Sequence, residues 1–307
     1  MARRPLDVII DTDPGIDDAC ALLAALASPR LRVRAVIATG GNVSVRQAAE
    51  NVRRVLAVAR PAEMPLVGLG LDPPGEGLDA KHIHGPDGLA QAPVEPADVP
   101  VREAREVVAQ VLTETGQNLV LLALAPLTTV RWLLEHVPDF RARVAQVIVM
   151  GGALSVSGNV TSAAEFNFWR DPEAAAAIIH SGLPVSLVPL DVTSRWPVTE
   201  HDLRQHLRRR TERQRVLRHL LRYAIRTHQK LGLPAALVHD AVALTALVRP
   251  SALHWKPIQC DVEVHGVLTR GMLVSERRPE VETHPNVTVA TGARMRTLSD
   301  VLWGLLQ

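Results

Sequence analysis

The most restrictive feature of this 307-residue chain is a short acidic segment that directly follows an apolar run. Residues 8–10 are Val-Ile-Ile and residues 11–18 are Asp-Thr-Asp-Pro-Gly-Ile-Asp-Asp, which places four carboxylates within eight residues. Like charges this close raise one another's pKa unless a cation lies among them. Because oxygen ligands without thiols suit hard divalent ions, the segment predicts a Ca²⁺ or Mg²⁺ site at the end of a strand.

Strand-like and helix-like segments alternate along the whole chain. Short apolar or β-branched runs predict strands at residues 6–10, 33–39, 66–68, 118–124, 144–150 and 185–188. Helical spacing predicts helices at residues 17–28, 45–59, 102–115, 127–136, 198–231, 239–248 and 297–306, with another starting at Asp171-Pro172. Residues 71–100 form a long excursion, and residues 257–275 form a hairpin-like β segment. The pattern predicts one α/β domain over residues 1–307, with a mainly parallel, open, Rossmann-like sheet covered by helices on both faces.

Polar or glycine-rich segments follow several of the predicted strands. These segments are residues 11–18, 39–42, 125–129 and 150–152. In such sheets ligands bind beyond the carboxyl ends of the strands, which lie along one edge. We therefore expect the active site at that edge.

Composition and charge exclude several classes of protein. The formal net charge of +2 is too small to favour a nucleic-acid partner, and no apolar run reaches the roughly 18 residues of a membrane span. The apolar run near the N-terminus has three residues, which argues against a signal peptide. Cys20 lies in an apolar helical pattern and has no metal-type spacing to Cys260, so a buried free thiol and a cytoplasmic location are expected.

The four acids have different local settings. Asp11 and Asp13 are two residues apart and point the same way on an extended strand end, whereas Asp17 and Asp18 fall in the first helical turn. Helix capping alone would explain Asp17 and Asp18 but not the earlier pair. A second alternative is a haloacid-dehalogenase-like phosphatase, which places Asp-x-Asp after a strand but usually continues with Gly-Thr rather than Pro-Gly-x-Asp-Asp.

The acidic segment resembles the opening signature of the inosine-uridine-preferring nucleoside hydrolases. Further motifs resembling that family occur in the family's order: Gly40-Gly41-Asn42, His82-Ile83-His84-Gly85 to Gly88, Ala125-Pro126-Leu127-Thr128, Met150-Gly151-Gly152, Gly158-Asn159 through Glu165-Phe166-Asn167 to Asp171-Pro172, and Val238-His239-Asp240-Ala241. One departure is Thr129, which stands where the family usually has asparagine. The resemblance implies the nucleoside hydrolase fold and a Ca²⁺-dependent hydrolase that cleaves ribonucleosides into ribose and a free base.

The resemblance also implies roles for individual residues. Asp13, Asp18, Asp240 and the backbone carbonyl of Thr128 correspond to the Ca²⁺ ligands, and Asp13 also corresponds to the general base. His239 corresponds to a histidine near the departing base. The residues expected to bind substrate, mainly through the ribose hydroxyls, are Asp17, Asn42, Asn159, Glu165 and Asn167, with His84 in the excursion.

The base-binding region matches no motif clearly. Tyr223, Arg226 and His228 are candidates for contacting the base, because the family helix before the His-Asp motif lies over the base pocket. His82 and His84 either line the mouth of the pocket or are solvated loop residues. Without a recognisable base site, an alternative function is a ribose- or nucleoside-binding protein with weak or lost hydrolase activity. By analogy with the family we expect a homodimer or homotetramer, with no nucleic acid and no membrane as partner.

Overall fold

The structure, a computed structural model, describes residues 4–75, 79–116, 118–209 and 211–307. The strands in these residues are β1 (Leu6–Thr12), β2 (Leu31–Ala38), β3 (Leu66–Leu69), β4 (Val101–Glu103), β5 (Leu119–Ala123), β6 (Val144–Met150), β7 (Val185–Val188), β8 (Pro197–Val198), β9 (Ala236–Leu237), β10 (Leu253–Ile258), β11 (Cys260–Val262), β12 (Leu273–Ser275) and β13 (Val287–Ala293). The α-helices are α1 (Ile16–Ala27), α2 (Val45–Ala59), α3 (Lys81–His84), α4 (Ala104–Glu114), α5 (Thr128–His136), α6 (Phe140–Arg143), α7 (Phe166–Arg170), α8 (Pro172–Ile179), α9 (Leu190–Thr193), α10 (Glu200–His206), α11 (Glu212–Lys230), α12 (His239–Val248) and α13 (Met295–Leu306).

The central sheet reverses its direction of growth beside β1. Its order is β10-β13-β7-β6-β5-β1-β2-β3-β4, and only β10 runs antiparallel to its neighbour among the described strands. The chain passes from β1 outward to β4 and then returns to the other side of β1 as β5. Such a switch point opens a crevice at the carboxyl ends of the two central strands. The acidic segment after β1 therefore lies where an open α/β sheet binds its ligand.

Helices cover both faces of the sheet because the strand residues alternate between two apolar cores. Val8 and Ile10 belong to one core, which is shared with α1, α2, α11, α12 and α13. Ile9 belongs to the other core, which is shared with α4, α5 and α8. Successive strand side chains point to opposite faces, so one apolar run supplies both layers.

Side chains at the helix starts explain several boundaries. Ser44 Oγ accepts the Gln47 N–H at the start of α2, and Asp171 Oδ1 accepts the Ala174 N–H at the start of α8. Each interaction satisfies a backbone donor that lacks a partner within the helix. Thr199 and Thr211 cap α10 and α11 in the same way, so the arginine-rich segment is divided into two helices.

The predicted fold class is confirmed: the protein has a large, mostly parallel open sheet flanked by helices. Three details of the prediction were wrong. One helix over 198–231 is replaced by α10 and α11, and residues 257–258 belong to β10 of the central sheet rather than to the β11–β12 hairpin. Strands β4 and β13 were not predicted, because their recognition depends on partners distant in sequence. No helix in the described part of the chain is long and apolar enough to cross a membrane.

Candidate active site

A cavity of about 220 Å³ opens at the carboxyl ends of the central strands. Its wall includes eight of the side chains that the sequence predicted for the site, namely Asp17, Asn42, His84, Asn159, Glu165, Asn167, His239 and Asp240. These residues lie in six separate segments of the chain, including α1, α3 and α12. Folding therefore brings the predicted polar residues to one place.

Three carboxylates converge at this cavity, which Asp17 and Asp240 line. Asp17, Asp18 and Asp240 each offer an oxygen within 4.8 Å of the others, a group formed by α1 and the start of α12. Asp13 is outside this triad, although the sequence predicted it as a ligand. It borders the triad closely enough for the charges of Asp18 and Asp17 to raise its pKa. All four are acceptors only when ionised, so they form an oxygen-rich donor set suited to a hard divalent cation.

Hydrogen bonds fix the acids before any ligand binds. Asp18 Oδ1 accepts from Thr12 Oγ1 over 2.5 Å, and its Oδ2 accepts the Gly15 N–H over 2.9 Å. Asn42 joins two acids, since its backbone N–H donates to Asp13 Oδ2 (2.7 Å) and its Nδ2 donates to Asp18 Oδ2 (3.1 Å). The loop after β2 thus orients the carboxylates that follow β1.

Asp11, for which no ligand contact was predicted, forms a hydrogen bond with Thr39 instead. Its Oδ1 accepts from Thr39 Oγ1 over 2.5 Å, and Thr39 Oγ1 lies 2.7 Å from Thr129 Oγ1. Thr129 Oγ1 also accepts the Leu71 N–H over 3.0 Å. The departure at Thr129 therefore creates a local hydrogen-bond network beneath the site.

Burial and mutual repulsion make the acids costly to ionise. Burial raises the pKa of Asp11 to about 7 and that of Asp17 to about 6. The pKa values of Asp13 and Asp240 lie well above their usual range, because burial and neighbouring carboxylates act in the same direction. Asp17 Oδ1 and Asp11 Oδ2 are also buried without a hydrogen-bond partner among the described residues. Unpaired buried oxygens and clustered raised pKa values are what a cation site shows without its cation.

A second group of polar side chains stands opposite the acids. Glu165 Oε2 accepts the backbone N–H of Gly152 (3.0 Å), and its Oε1 accepts that of Asn167 (2.9 Å). Asn167 Nδ2 donates to the carbonyls of Leu124 (2.7 Å) and Met150 (3.2 Å). The loops after β5 and β6 are thereby joined, and amide and carboxylate groups face the cavity in a fixed arrangement.

Thr128, whose carbonyl was predicted to be a ligand, is not among the described residues that line this cavity. Thr128 begins α5, and its hydroxyl donates to Asp171 Oδ2 over 2.6 Å beside a different hollow that includes Trp132. Leu124 lines the cavity instead and directly follows β5. Leu124 could have been predicted from its position as the first residue after a central strand, because backbone carbonyls at the carboxyl ends of the strands face the ligand.

Four histidines line the same cavity: His84, His239, His228 and the exposed His82. His84 Nδ1 accepts the Ile16 N–H over 3.1 Å, and His239 Nδ1 lies 2.8 Å from Thr193 Oγ1. Burial lowers the pKa of each of these two rings to about 4. His84 is therefore a largely buried wall residue of α3, not a solvated loop residue. Thr193 was not predicted as a site residue, because its partner His239 is distant in the sequence and no local motif marks it.

The third histidine is His228, in the last turn of α11. Of the three side chains proposed to contact a base, His228 alone lines the cavity among the described residues. Tyr223 is partly buried against the apolar core, and Arg226 is exposed. Leu231, Leu233 and Leu237 extend the wall beside His228. The cavity wall thus combines carboxylates, histidines and leucines.

Comparisons with known proteins agree with this arrangement. A family model described as inosine-uridine preferring nucleoside hydrolase matches residues 8–300. The pyrimidine-specific ribonucleoside hydrolase RihA of Salmonella agona (strain SL483) is 34% identical over 307 residues, covering 98% of each chain. Among solved structures, a purine-preferring ribonucleoside hydrolase from Gardnerella vaginalis superimposes with a TM-score of 0.89 at 25% identity, covering 98% of each chain. A plant nucleoside hydrolase gives 0.86 at 30% identity, covering 98% of this chain and 99% of the other.

Proposed function

Because this chain belongs to the inosine-uridine preferring nucleoside hydrolase family, we propose that it uses Ca²⁺ to hydrolyse the N-glycosidic bond of ribonucleosides. The products are ribose and the free base. The observation that carries the proposal is the convergence of Asp17, Asp18 and Asp240 on one cavity with the polar side chains opposite them.

The donor set fits a hard cation. We propose that Asp13, Asp18 and Asp240 hold it, and that the carbonyl of Leu124, rather than that of Thr128, is the backbone ligand. Carboxylate and carbonyl oxygens are the ligands Ca²⁺ prefers, and it takes about six to eight of them. When bound, Ca²⁺ supplies a fixed positive charge that organises the ribose hydroxyls and makes a water molecule more acidic.

The protein's own groups perform the remaining steps. Asp13, which the Asn42 N–H holds in place, accepts a proton from the attacking water. Positive charge develops on the sugar as the bond to the base breaks. Asp17, Glu165 and the amides of Asn42, Asn159 and Asn167 surround the ribose, where fixed oxygens stabilise that charge.

The departing base gains electron density and is stabilised by a hydrogen-bond donor. His239 faces the cavity and is neutral near pH 7, because burial lowers its pKa to about 4. If the Thr193 hydroxyl donates to Nδ1, the single ring proton lies on Nε2. We propose that His239 Nε2–H donates towards the leaving base.

Pyrimidine ribonucleosides are the proposed substrates. The relative of 34% identity that covers nearly the whole chain is named pyrimidine-specific. The apolar wall formed by Leu231, Leu233 and Leu237 supports the proposal, since it suits a flat base with little charge.

A substrate panel tests the proposal. The protein is incubated with uridine, cytidine, inosine, adenosine and nitrophenyl riboside, with and without a calcium chelator, and released reducing sugar is measured. Chelator-sensitive release that returns with Ca²⁺ is expected. No release from any riboside would refute hydrolysis, and binding of uridine without release would establish the nucleoside-binding alternative. Release of phosphate from phosphate esters would instead support the phosphatase alternative.

A cytoplasmic location and a homodimer or homotetramer remain proposals that rest on the family resemblance. Light scattering coupled to size-exclusion chromatography distinguishes the two assemblies from a monomer.

A further inference from the structure

The protonation of the His228 ring is fixed by its own helix. His228 Nδ1 lies 2.9 Å from the carbonyl oxygen of Ala224, one turn earlier in α11. A carbonyl oxygen only accepts, so Nδ1 must carry the proton. In the neutral ring Nε2 is then an unprotonated acceptor. The ring is 9% exposed and lines the cavity that also holds Asp17 and Asp240.

His84, on another part of the same wall, has the opposite arrangement. Its Nδ1 accepts the backbone N–H of Ile16, so the proton of the neutral ring lies on Nε2. Both rings line the same cavity. The cavity therefore presents an imidazole acceptor on α11 and an imidazole donor on α3.

The surroundings of His228 suit a planar base. Leu231, Leu233 and Leu237 follow it along the chain and line the same cavity. The oxygen-rich groups that suit ribose, Asp17 and Asp240 among them, line this cavity as well. Apolar side chains bind a flat ligand without fixing its orientation. A polar acceptor beside them fixes that orientation.

Resting on the proposed function, we infer that His228 Nε2 accepts a hydrogen bond from an N–H on the Watson–Crick edge of the base. His228 is thus a specificity-determining residue, and its ligand class is ribonucleosides whose base carries such an N–H. The N–H comes either from the ring imide of uracil or hypoxanthine or from the exocyclic amino group of cytosine or adenine. Methylated substrates distinguish these two sources.

The experiment compares matched substrates and variants at about pH 8, where imidazole is neutral. The substrates are uridine with 3-methyluridine, which lacks the ring N–H, and cytidine with N4,N4-dimethylcytidine, which lacks the amino N–H. 5-Methyluridine controls for added bulk. The variants are His228→Leu, which removes the acceptor, and His228→Gln, which restores one. Gln229→Leu changes an exposed neighbour on the same helix outside the cavity.

The expected result is that kcat/KM of the wild type falls about five- to ten-fold when the recognised N–H is methylated, as for loss of one hydrogen bond. In His228→Leu this preference should disappear, so that the parent and the methylated substrate react at similar rates. His228→Gln and Gln229→Leu should keep the preference. The substrate pair that shows the effect identifies the ring or the amino source.

An unchanged preference in His228→Leu would overturn the inference while leaving the hydrolase function intact. Should that variant not fold, equal rates for parent and methylated substrates in the wild type would overturn it as well. Ribose release from no riboside, nitrophenyl riboside included, would refute the proposed function itself and the inference with it.

Discussion

Asn42, in the loop after β2, donates its backbone N–H to Asp13 Oδ2 over 2.7 Å. Asp13 directly follows β1, so a backbone group from the neighbouring strand's loop sets the orientation of the carboxylate. A backbone donor cannot rotate away as a side chain can. The position of this carboxylate therefore depends on the path of the glycine pair that precedes Asn42.

Replacing Asp13 by alanine should lower kcat/KM for ribonucleosides by at least about 100-fold, because the proposed general base is lost. Initial rates of ribose release measure the effect. Asp98→Ala, at an exposed position, is the control and should retain the wild-type rate. Near-normal turnover in Asp13→Ala would remove Asp13 from the mechanism.

Gly41→Ala should also reduce turnover by about 100-fold, because a small displacement of a catalytic group is costly. A Cβ at residue 41 would overlap Asp13 Oδ2 and press on Pro126. Gly116→Ala is the matched control, since a Cβ there meets nothing within 4 Å. If Gly41→Ala were as active as Gly116→Ala, the close approach of this loop to Asp13 would be irrelevant to catalysis.

Ca²⁺ should stabilise the protein, and more strongly at about pH 8 than at about pH 5, since a metal must displace protons from its ligands. Melting temperatures measured with a chelator and with excess Ca²⁺ give the stabilisation at each pH. Asp17 and Asp11 have pKa values raised to about 6 and about 7, so both hold protons at the lower pH.

The sign follows from linkage. A raised carboxyl pKa in the fold contributes stability that is complete below the unfolded value, 3.8, and is lost as pH rises through the folded value. The metal-free protein therefore loses this contribution between about pH 4 and pH 7. In the metal-bound protein the nearby cation favours the ionised form of these acids, so that this loss is smaller. A Ca²⁺ effect of the same size at both pH values would show that the acids do not titrate as proposed.

His239→Ala should slow uridine hydrolysis by about 100-fold, as expected for loss of a positioned hydrogen-bond donor to the developing negative charge. Nitrophenyl riboside should be affected far less, because its leaving group needs little protonation. Comparing kcat/KM on the two substrates makes the distinction. An equal loss on both would mean that His239 acts on the ribose or on the structure.

Thr193→Val should lower kcat/KM for uridine by about ten-fold and should affect nitrophenyl riboside less. Losing the hydrogen-bond partner that orients a functional histidine commonly has an effect of this size. Thr193 Oγ1 is 2.8 Å from His239 Nδ1 and fully buried. Thr193→Ser retains the hydroxyl and should recover most of the rate. No recovery in the serine variant would assign the effect to the lost packing of the methyl group.

Short-range patterns in the sequence were sufficient to predict the fold class and the acidic residues of the site. The apolar run ending at Asp11, the proline and glycine after Asp13 and the helical spacing from Asp17 are all short-range features. They correspond to β1, the following turn and α1. Helix α2 at Val45–Ala59 and strand β6 at Val144–Met150 also have the predicted bounds. Periodicity and capping act over a few residues, so the sequence alone expresses them.

Distances across the sheet were not predictable in the same way. The sequence showed neither the grouping of Asp17 with Asp18 and Asp240 nor the place of Leu124 in the cavity wall. Both depend on where each strand ends relative to its neighbours, which register and packing decide together.

By itself the sequence determined that a strand delivers four acids to a turn before a helix, within a chain of alternating strands and helices. Only the tertiary structure decided which partners those acids meet. Asp240 reaches Asp18 because α12 packs beside α1, and His228 reaches the cavity because one face of α11 is buried. The physical reason is that secondary structure arises from short-range preferences. An active site arises from contacts between distant residues, and these exist only once the two apolar cores have closed on the sheet.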